Sequence, residues 1–141
     1  MLDTQAAVFV DTVAWIALLN VSDVLHAQAL EIMDSLRRKR TRFVTTEFVL
    51  LAVADALSAP SIRTQTVGFI EGLRRLSVLR IVPLNQELLT EGWSLYAQRT
   101  DKDWGLTDCI SFVVMNQEPL SQAFTSDHHF EQAGFINLLK K

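Results

Sequence analysis

Short apolar strands alternate with helices along the chain. Residues 7–11 begin with a continuous apolar, β-branched run, which is typical of a strand buried on both faces. Apolar side chains then recur at helical spacing from Leu25 to Leu36, with Ser22 as the expected N-cap. This alternation predicts an α/β fold in which helices cover both faces of a central parallel sheet. The further predicted strands are 43–45, 78–82, 123–125 and 136–139, and the further predicted helices are 46–57, 60–76, 85–96 and 107–116.

The composition is that of a folded globular protein, and we expect one domain spanning residues 1–141. Apolar residues make up 49% of the chain, and 16 acidic against 13 basic side chains give a formal charge of −3. A mildly acidic chain lacks the broad basic surface that binds nucleic acid non-specifically. The single Cys109 cannot form an internal disulfide, and the longest apolar runs are far shorter than the roughly 20 residues of a membrane span. We therefore expect a cytoplasmic protein without a membrane partner.

Four acidic residues follow predicted strands or begin predicted helices. Asp11 ends the first strand, and Glu47 begins the helix after the second strand. Asp108 lies at the start of a later helix, and Asp127 follows the fourth strand. Because the carboxyl ends of parallel strands meet at one edge of a sheet, we expect the four carboxylates to converge there.

Each of these acids alone also has a purely structural explanation. Acidic side chains in the first helical turn complement the helix dipole, which accounts for Glu47 and Asp108. Asp11 would cap a following helix, and Asp127 would belong to a turn. Together, however, four converging carboxylates repel one another unless a cation lies between them. Oxygen ligands without cysteine or histidine suit Mg²⁺ or Mn²⁺ rather than Zn²⁺, and one or two such ions serve phosphodiester hydrolysis.

Four segments around these acids resemble the motifs of PIN-domain ribonucleases, and in particular the small VapC-type toxins of bacterial toxin–antitoxin pairs. They occur in the family's order, so the resemblance covers nearly the whole chain. The segments are Val8-Phe9-Val10-Asp11-Thr12, Thr45-Thr46-Glu47, Leu106-Thr107-Asp108-Cys109-Ile110-Ser111-Phe112 and Ala123-Phe124-Thr125-Ser126-Asp127-His128-His129-Phe130.

The resemblance implies both a fold and an activity. PIN domains are three-layer α/β/α structures with a central parallel sheet, and they hydrolyse phosphodiester bonds of single-stranded RNA with metal-activated water. Asp11 and Asp108 correspond to the principal metal ligands of the family. Glu47 and Asp127 correspond to acids that complete the catalytic and metal-binding site. The four acids also explain the negative charge, because the remaining 12 acidic residues balance 13 basic ones.

The resemblance extends to supporting residues and partners. Thr125 falls where the family often has a hydroxyl that orients water or phosphate, and Thr12 matches the hydroxyl residue after the first aspartate. A serine is frequent one position later, but this chain has Val13, which removes one possible hydrogen bond to the site. The implied cofactor is Mg²⁺ or Mn²⁺. The implied partners are an RNA substrate, a second copy of the chain and an antitoxin, for which the stretch 48–57 and the helix beginning at Ser61 offer a surface.

Several residues near the acids have two interpretations. We interpret Asp103 as a loop or rim residue, with a supporting role in the site as the alternative. His128 and His129 are expected to be exposed loop residues, although a histidine there could contact phosphate.

Basic and aromatic residues also remain open. The basic cluster (Arg37, Arg38, Lys39, Arg40 and Arg42) is either a solvated helix end or a surface that steers RNA toward the acids. We interpret Trp15, Trp93 and Trp104 as packing residues rather than surfaces on which bases stack.

Other functions fit the sequence less well. The five glycines are scattered, so the chain lacks the phosphate-binding glycine loop of nucleotide-binding enzymes. Flap nucleases need extra helical elements to grip duplex, for which 141 residues leave little room. The remaining alternative is a PIN-fold protein that binds or processes RNA without a toxin role.

Overall fold

The computed structural model describes residues 7–140, so both ends of the expected 1–141 domain lie outside the described residues. Five parallel strands form one sheet in the order β3–β2–β1–β4–β5, and the described chain contributes seven helices that flank it. The predicted α/β fold with a central parallel sheet is confirmed. The elements are β1 (Ala7–Val10), α1 (Thr12–Leu19), α2 (His26–Arg38), β2 (Arg42–Thr46), α3 (Glu47–Ala56), α4 (Pro60–Leu73), β3 (Leu79–Val82), α5 (Gln86–Gln98), α6 (Leu106–Gln117), β4 (Gln122–Phe124), α7 (His128–Gln132) and β5 (Ile136–Asn137).

Strand β1 lies at the centre of the sheet and of the core. Phe9 pairs with Val44 of β2 on one side and with Ala123 of β4 on the other. Its neighbours Val8 and Val10 are fully buried, as a strand covered on both faces requires. The chain builds outward from β1 in one direction through β2 and β3, and in the other through β4 and β5. The carboxyl ends of β1 and β4 therefore form the point where the strand order reverses, which is where open α/β sheets bind ligands.

A buried polar contact ties the ends of β1 and β2 together beneath this edge. The Thr45 hydroxyl donates to the backbone carbonyl of Val10 at 2.8 Å, and the Trp15 indole Nε1 donates to the Thr45 oxygen at 3.2 Å. Because both side chains are buried, these hydrogen bonds satisfy groups that would otherwise be costly to remove from water. The end of β1 is thus held in a fixed place.

Helix α1 is not among the elements predicted from the apolar pattern; only the alternative explanation of Asp11 as a helix cap implied a helix there. Its residues are apolar almost throughout, and Ala14, Trp15 and Ala17 are all buried. A helix without a polar face has no amphipathic periodicity, so its pattern does not distinguish it from a buried strand. The predicted start of α2 at Ser22 is also wrong. The Asp23 side chain accepts a hydrogen bond from the Leu25 N–H at 2.8 Å, which forms a turn and delays the helix to His26.

Helices α5 and α6 pack very closely, and Gly92 makes this possible. A Cβ atom at residue 92 would lie only 2.3 Å from Ile110 Cγ1, so only glycine allows α5 to approach α6 to this distance.

Within residues 7–140, the helices are either too short or too polar to cross a membrane.

Candidate active site

Asp11 lies immediately after β1, at the point where the strand order reverses. It occupies the N-cap position of α1 but makes no capping hydrogen bond, so the structural explanation proposed for it does not apply. Its carboxylate instead accepts a hydrogen bond from the Thr125 hydroxyl at 2.9 Å, across the junction of β1 and β4. Only 4% of Asp11 is exposed.

Asp108 lies in the first turn of α6. This helix was expected to begin at Asp108 after a cap at Thr107, but it begins at Leu106, because the Asp108 carboxylate accepts the Gly105 N–H at 3.2 Å. The imidazole Nδ1 of His129 donates to the same carboxylate oxygen at 2.9 Å. Asp108 is thus held by its own helix and by a residue from another element.

Asp127 lies between β4 and the short helix α7. Its side chain accepts the His129 N–H at 2.9 Å, and its own N–H donates to the Thr125 hydroxyl oxygen at 3.1 Å. Thr125 consequently contacts both Asp11 and Asp127. We call Asp11, Asp108 and Asp127 the acidic site.

The three carboxylates of the acidic site are close enough to influence one another. Burial raises the pKa of Asp11 from 3.8 to about 7, and repulsion from Asp108 and Asp127 adds to this shift, against hydrogen bonds from the Thr12 backbone and Thr125. Burial, together with the charge of Asp127, also raises the pKa of Asp108. The protein itself therefore supplies less positive charge than these carboxylates require.

Glu47 has a different environment from the other predicted acids. It begins α3 at the adjacent strand end, but both of its carboxylate oxygens accept hydrogen bonds from Arg74, at 2.5 and 2.8 Å. These bonds lower the pKa of Glu47. The carboxylate charges that raise the pKa of Asp11 are those of Asp108 and Asp127, and Glu47 is not among them. The charges of three of the four predicted acids thus act on one another, whereas the fourth acid, Glu47, is held in an ion pair with Arg74.

His129 was expected to be exposed, and this expectation is wrong. Its side chain is only 16% exposed, and it contacts Asp108, Asp127 and Asp103. Burial alone would lower the pKa of His129, but the hydrogen bond to Asp108 and the nearby carboxylates raise it. The Asp103 carboxylate lies 3.1 Å from His129 Nε2, which places this loop residue at the rim of the site as predicted.

The remaining candidates occupy less central positions. His128 is exposed as expected. Thr12 supports Asp11 through its backbone, while its hydroxyl makes no hydrogen bond within residues 7–140. The basic cluster lies at the end of α2 and the start of β2, which is the opposite edge of the sheet from the acidic site, and its Arg37, Arg40 and Arg42 line a cleft of about 590 Å³.

The tryptophans differ from one another. Trp15 and Trp104 are buried, as predicted, and Trp104 donates a hydrogen bond to Gln132 at 2.9 Å. Trp93 is 57% exposed, so its interpretation as a packing residue is wrong. Helix α5 buries Leu88 and Gly92, and Trp93 follows Gly92 at roughly 100° around the helix, beside the buried face.

The donor atoms of this region fit a divalent cation. Asp108, Asp127 and His129 offer potential ligand atoms that all lie within 4.8 Å of one another. Carboxylate oxygens are preferred by hard cations such as Mg²⁺ and Mn²⁺. Burial and mutual repulsion raise the pKa values of Asp11 and Asp108, and a bound cation would oppose both effects.

Comparison with known proteins agrees with this fold. The sequence profile of the PIN domain matches residues 8–136. The 23S rRNA-specific endonuclease VapC20 of Mycobacterium tuberculosis is 26% identical over 131 residues, which cover 93% of this chain and 97% of that protein. The crystal structure of the same VapC20, described as a Sarcin-Ricin loop cleaving toxin, has a TM-score of 0.82 over 92% of this chain and 96% of that chain.

More distant structures share the fold. VapBC2 from Rickettsia felis matches with a TM-score of 0.65 and 15% identity, over 93% of this chain and 96% of its own. FitAcB from Neisseria gonorrhoeae matches with a TM-score of 0.63 and 17% identity, over 92% and 95%. With a family match that extends over most of its length and a carboxylate cluster at the reversal point of its sheet, this chain belongs to the PIN domain family.

Proposed function

We propose that this protein is an endoribonuclease that hydrolyses phosphodiester bonds of single-stranded RNA at the acidic site. The observation that carries the proposal is the convergence of Asp11, Asp108 and Asp127 at the carboxyl ends of β1 and β4 in a PIN domain. The name of the 26% identical VapC20, a 23S rRNA-specific endonuclease, supports RNA as the class of substrate.

The proposed cofactor is Mg²⁺ or Mn²⁺, held by the three aspartates. When bound, such a cation neutralises charge on a phosphate and lowers the pKa of a water molecule. The aspartates alone repel an RNA phosphate, so neutralisation of their charge is a condition of substrate binding. Thr125 and His129 hold the carboxylates in place through the hydrogen bonds described above, and this orientation reduces the reorganisation that binding requires.

Glu47 is proposed as the fourth acid of the site. Its carboxylate follows β2, next to the end of β1, and α3 fixes its position. In the structure Arg74 donates hydrogen bonds to both carboxylate oxygens of Glu47. We therefore propose that Glu47 contributes to cation binding through its charge, or as a ligand after it separates from Arg74. Its role would thus differ from that of the buried Asp11, which holds the cation directly.

We further propose that the protein acts as the toxin of a type II toxin–antitoxin pair. The description of the related VapC20 as a toxin supports this role. The stretch 48–57 that was expected to contact an antitoxin is explained in large part by core packing, because Val49, Leu50 and Val53 are buried. A better surface is an apolar cleft of about 310 Å³ that α2 and α4 contribute to, where Leu30 and Leu76 are each 48% exposed. A homodimer and a cytoplasmic location complete the proposal, both on the strength of the family resemblance.

The activity is tested by cleavage of single-stranded RNA by the full chain with Mg²⁺ or Mn²⁺. We expect cleavage by the wild type and a loss of about a thousandfold or more for Asp108→Asn, because the substitution removes one charge from the acidic site. Asp55→Asn is the matched control, since Asp55 is an exposed acid on α3. Equal cleavage by the wild type and Asp108→Asn would refute the proposed site.

The toxin role is tested separately by induced expression in a bacterial host. Growth arrest that Asp108→Asn abolishes and Asp55→Asn preserves would support it. Harmless expression of a chain that cleaves RNA in vitro would favour the alternative of an RNA-processing enzyme without a toxin role.

A further inference from the structure

Two aromatic side chains of α5 are exposed side by side. Trp93 is 57% exposed and Tyr96 is 44% exposed, and their rings are stacked with centroids 5.5 Å apart and an interplanar angle of 29°. Large aromatic side chains usually bury most of their surface in the core or in an interface. Both rings stay about half exposed, although α5 packs against the rest of the protein through Leu88 and Gly92.

The position of this aromatic pair is fixed relative to the acidic site. Gly92 lies against Ile110 of α6 so closely that no side chain fits between them. Helix α6 carries Asp108 in its first turn. The helix that presents Trp93 and Tyr96 is therefore locked to the helix that presents a proposed catalytic carboxylate.

A cleft of about 620 Å³ connects the aromatic pair with the loop that precedes α6. We call it the aromatic cleft, and Trp93, Tyr96, Asp103 and Gly105 are among the residues that line it. Asp103 contacts His129, which in turn donates to Asp108. The cleft is therefore continuous with the rim of the acidic site.

The charges in the aromatic cleft favour an anionic strand. Both carboxylate oxygens of Asp101 accept hydrogen bonds from Arg99, at 2.9 and 3.0 Å, and Asp103 faces His129. Lys102 lines the cleft and has no carboxylate within salt-bridge distance among residues 7–140. The charged side chains that line the cleft are thus Asp103, Lys102 and Arg99, which pairs with Asp101, and Lys102 is available to a phosphate.

We infer that the aromatic cleft binds bases of the RNA strand next to the scissile bond, through stacking on Trp93 and Tyr96. This inference rests on the proposed function and adds the place where the substrate is held. Exposed aromatic faces beside cations are the usual platform for unpaired bases, whose π-faces stack on them whatever the sequence. A protein partner is less well matched, since a stable interface needs about 800 Å² on each side and this pair is a small patch with charged neighbours.

The experiment measures binding of a short fluorescein-labelled oligouridylate by anisotropy, with the full chain carrying Asp108→Asn to prevent cleavage. We expect Trp93→Ala and Tyr96→Ala each to weaken binding about tenfold, because each removes one stacking surface. Trp93→Phe keeps an aromatic face and should keep most of the affinity. Val67→Ala is the matched control, as Val67 is an apolar residue of α4 with 50% exposure.

Intrinsic fluorescence gives a second, independent signal. Trp93 is the exposed tryptophan, whereas Trp15 and Trp104 are 2% and 6% exposed. RNA should quench the emission of the Asp108→Asn protein, and Trp93→Phe should remove the quenching while retaining affinity. Because Trp93 is exposed, circular dichroism should show the same melting temperature for all variants.

Each outcome distinguishes the inference from the proposed function. Unchanged RNA affinity in both alanine variants overturns the inference that the aromatic cleft binds RNA bases, even if the wild type cleaves RNA. If Trp93→Ala instead converts a dimer to a monomer while RNA affinity stays the same, the surface belongs to a second copy and the inference is wrong. If no RNA is cleaved but binding still depends on Trp93, the proposed nuclease function fails and the binding surface stands.

Discussion

Glu47 and the three aspartates of the acidic site are carboxylates at the same edge of the sheet, but they lie in different electrostatic environments. Arg74 lies against Glu47 and lowers its pKa, so this carboxylate is ionised and satisfied. Asp11 is buried beside two other carboxylates, and its pKa is raised to about 7. The first environment is a stable ion pair, whereas the second is a deficit of positive charge. A fold retains such a deficit at a place where a cation or a substrate is to be bound.

Among substitutions that test the difference between the Glu47 ion pair and the buried Asp11, we expect Asp11→Asn to have the largest effect. The pKa of Asp11 is about 7 in the folded protein against 3.8 ordinarily, so the folded state binds the proton more tightly. The contribution of Asp11 to the stability of the metal-free protein should therefore fall as pH rises from about 4 to 7, by at most about 4 kcal/mol. Asparagine is uncharged and accepts the same hydrogen bond, so the variant should be more stable than the wild type at pH 8.

The measurement is urea unfolding with a chelator present across this pH range. Asp11→Asn should flatten the pH dependence, while Asp55→Asn, at an exposed position, should follow the wild-type curve. The same pH dependence of stability in Asp11→Asn and in the wild type would contradict the assignment of Asp11 as a destabilising buried charge.

A smaller effect is expected from His129, which orients two of the aspartates. Removal of the imidazole in His129→Ala should reduce the affinity for Mn²⁺ about 10–100-fold, as is common when a group that orients a ligand is lost. His129→Asn offers an N–H near the position of Nδ1 and should retain most of the affinity. Isothermal titration calorimetry at pH 8 measures both.

The neighbouring His128 provides the control for that series. It is exposed and 3.8 Å from Asp127, so His128→Ala should leave Mn²⁺ affinity nearly unchanged. Tighter Mn²⁺ binding by His129→Ala would show that the imidazole competes with the metal for Asp108 rather than orienting this carboxylate.

The smallest effect is expected from Arg74→Ala, which would make Glu47 resemble the aspartates. The Arg74 side chain is 46% exposed, so solvent screens the ion pair and its loss should cost less than about 1 kcal/mol of stability. The freed carboxylate should increase Mn²⁺ affinity severalfold at low salt, and less at high salt. Arg75→Ala removes the adjacent exposed arginine and should leave Mn²⁺ affinity unchanged. Equal gains in Mn²⁺ affinity in both variants would mean that only the net charge of the protein determines this affinity.

The sequence predicted the strands and the positions of the acids because both depend on local patterns. Asp11 and Asp127 follow apolar strands, and a parallel sheet necessarily brings the ends of adjacent strands together. The pairing of Glu47 with Arg74 could not be predicted in this way. It joins residues 27 positions apart through the packing of α4 beside α3, and no local pattern records it.

His129 and Trp93 were misjudged for related reasons. His129 is drawn into the site by the short helix α7, whose five residues are too few to show a periodic pattern. Trp93 is apolar and lies at helical spacing with other apolar residues, so the pattern assigned it to the core. The close contact of Gly92 with Ile110 determines instead which face of α5 is buried, and this contact is visible only in three dimensions.

The order of the strands also governs when the protein becomes active during its synthesis. Thr125 and Asp11 are in hydrogen-bond contact although 114 positions separate them in the chain. Strand β4 must leave the ribosome and pair with β1 before the acidic site exists, so a nascent or prematurely terminated chain carries Asp11 without its partners. For an enzyme proposed to attack RNA, this arrangement delays the appearance of activity until β4 has been translated and has paired with β1.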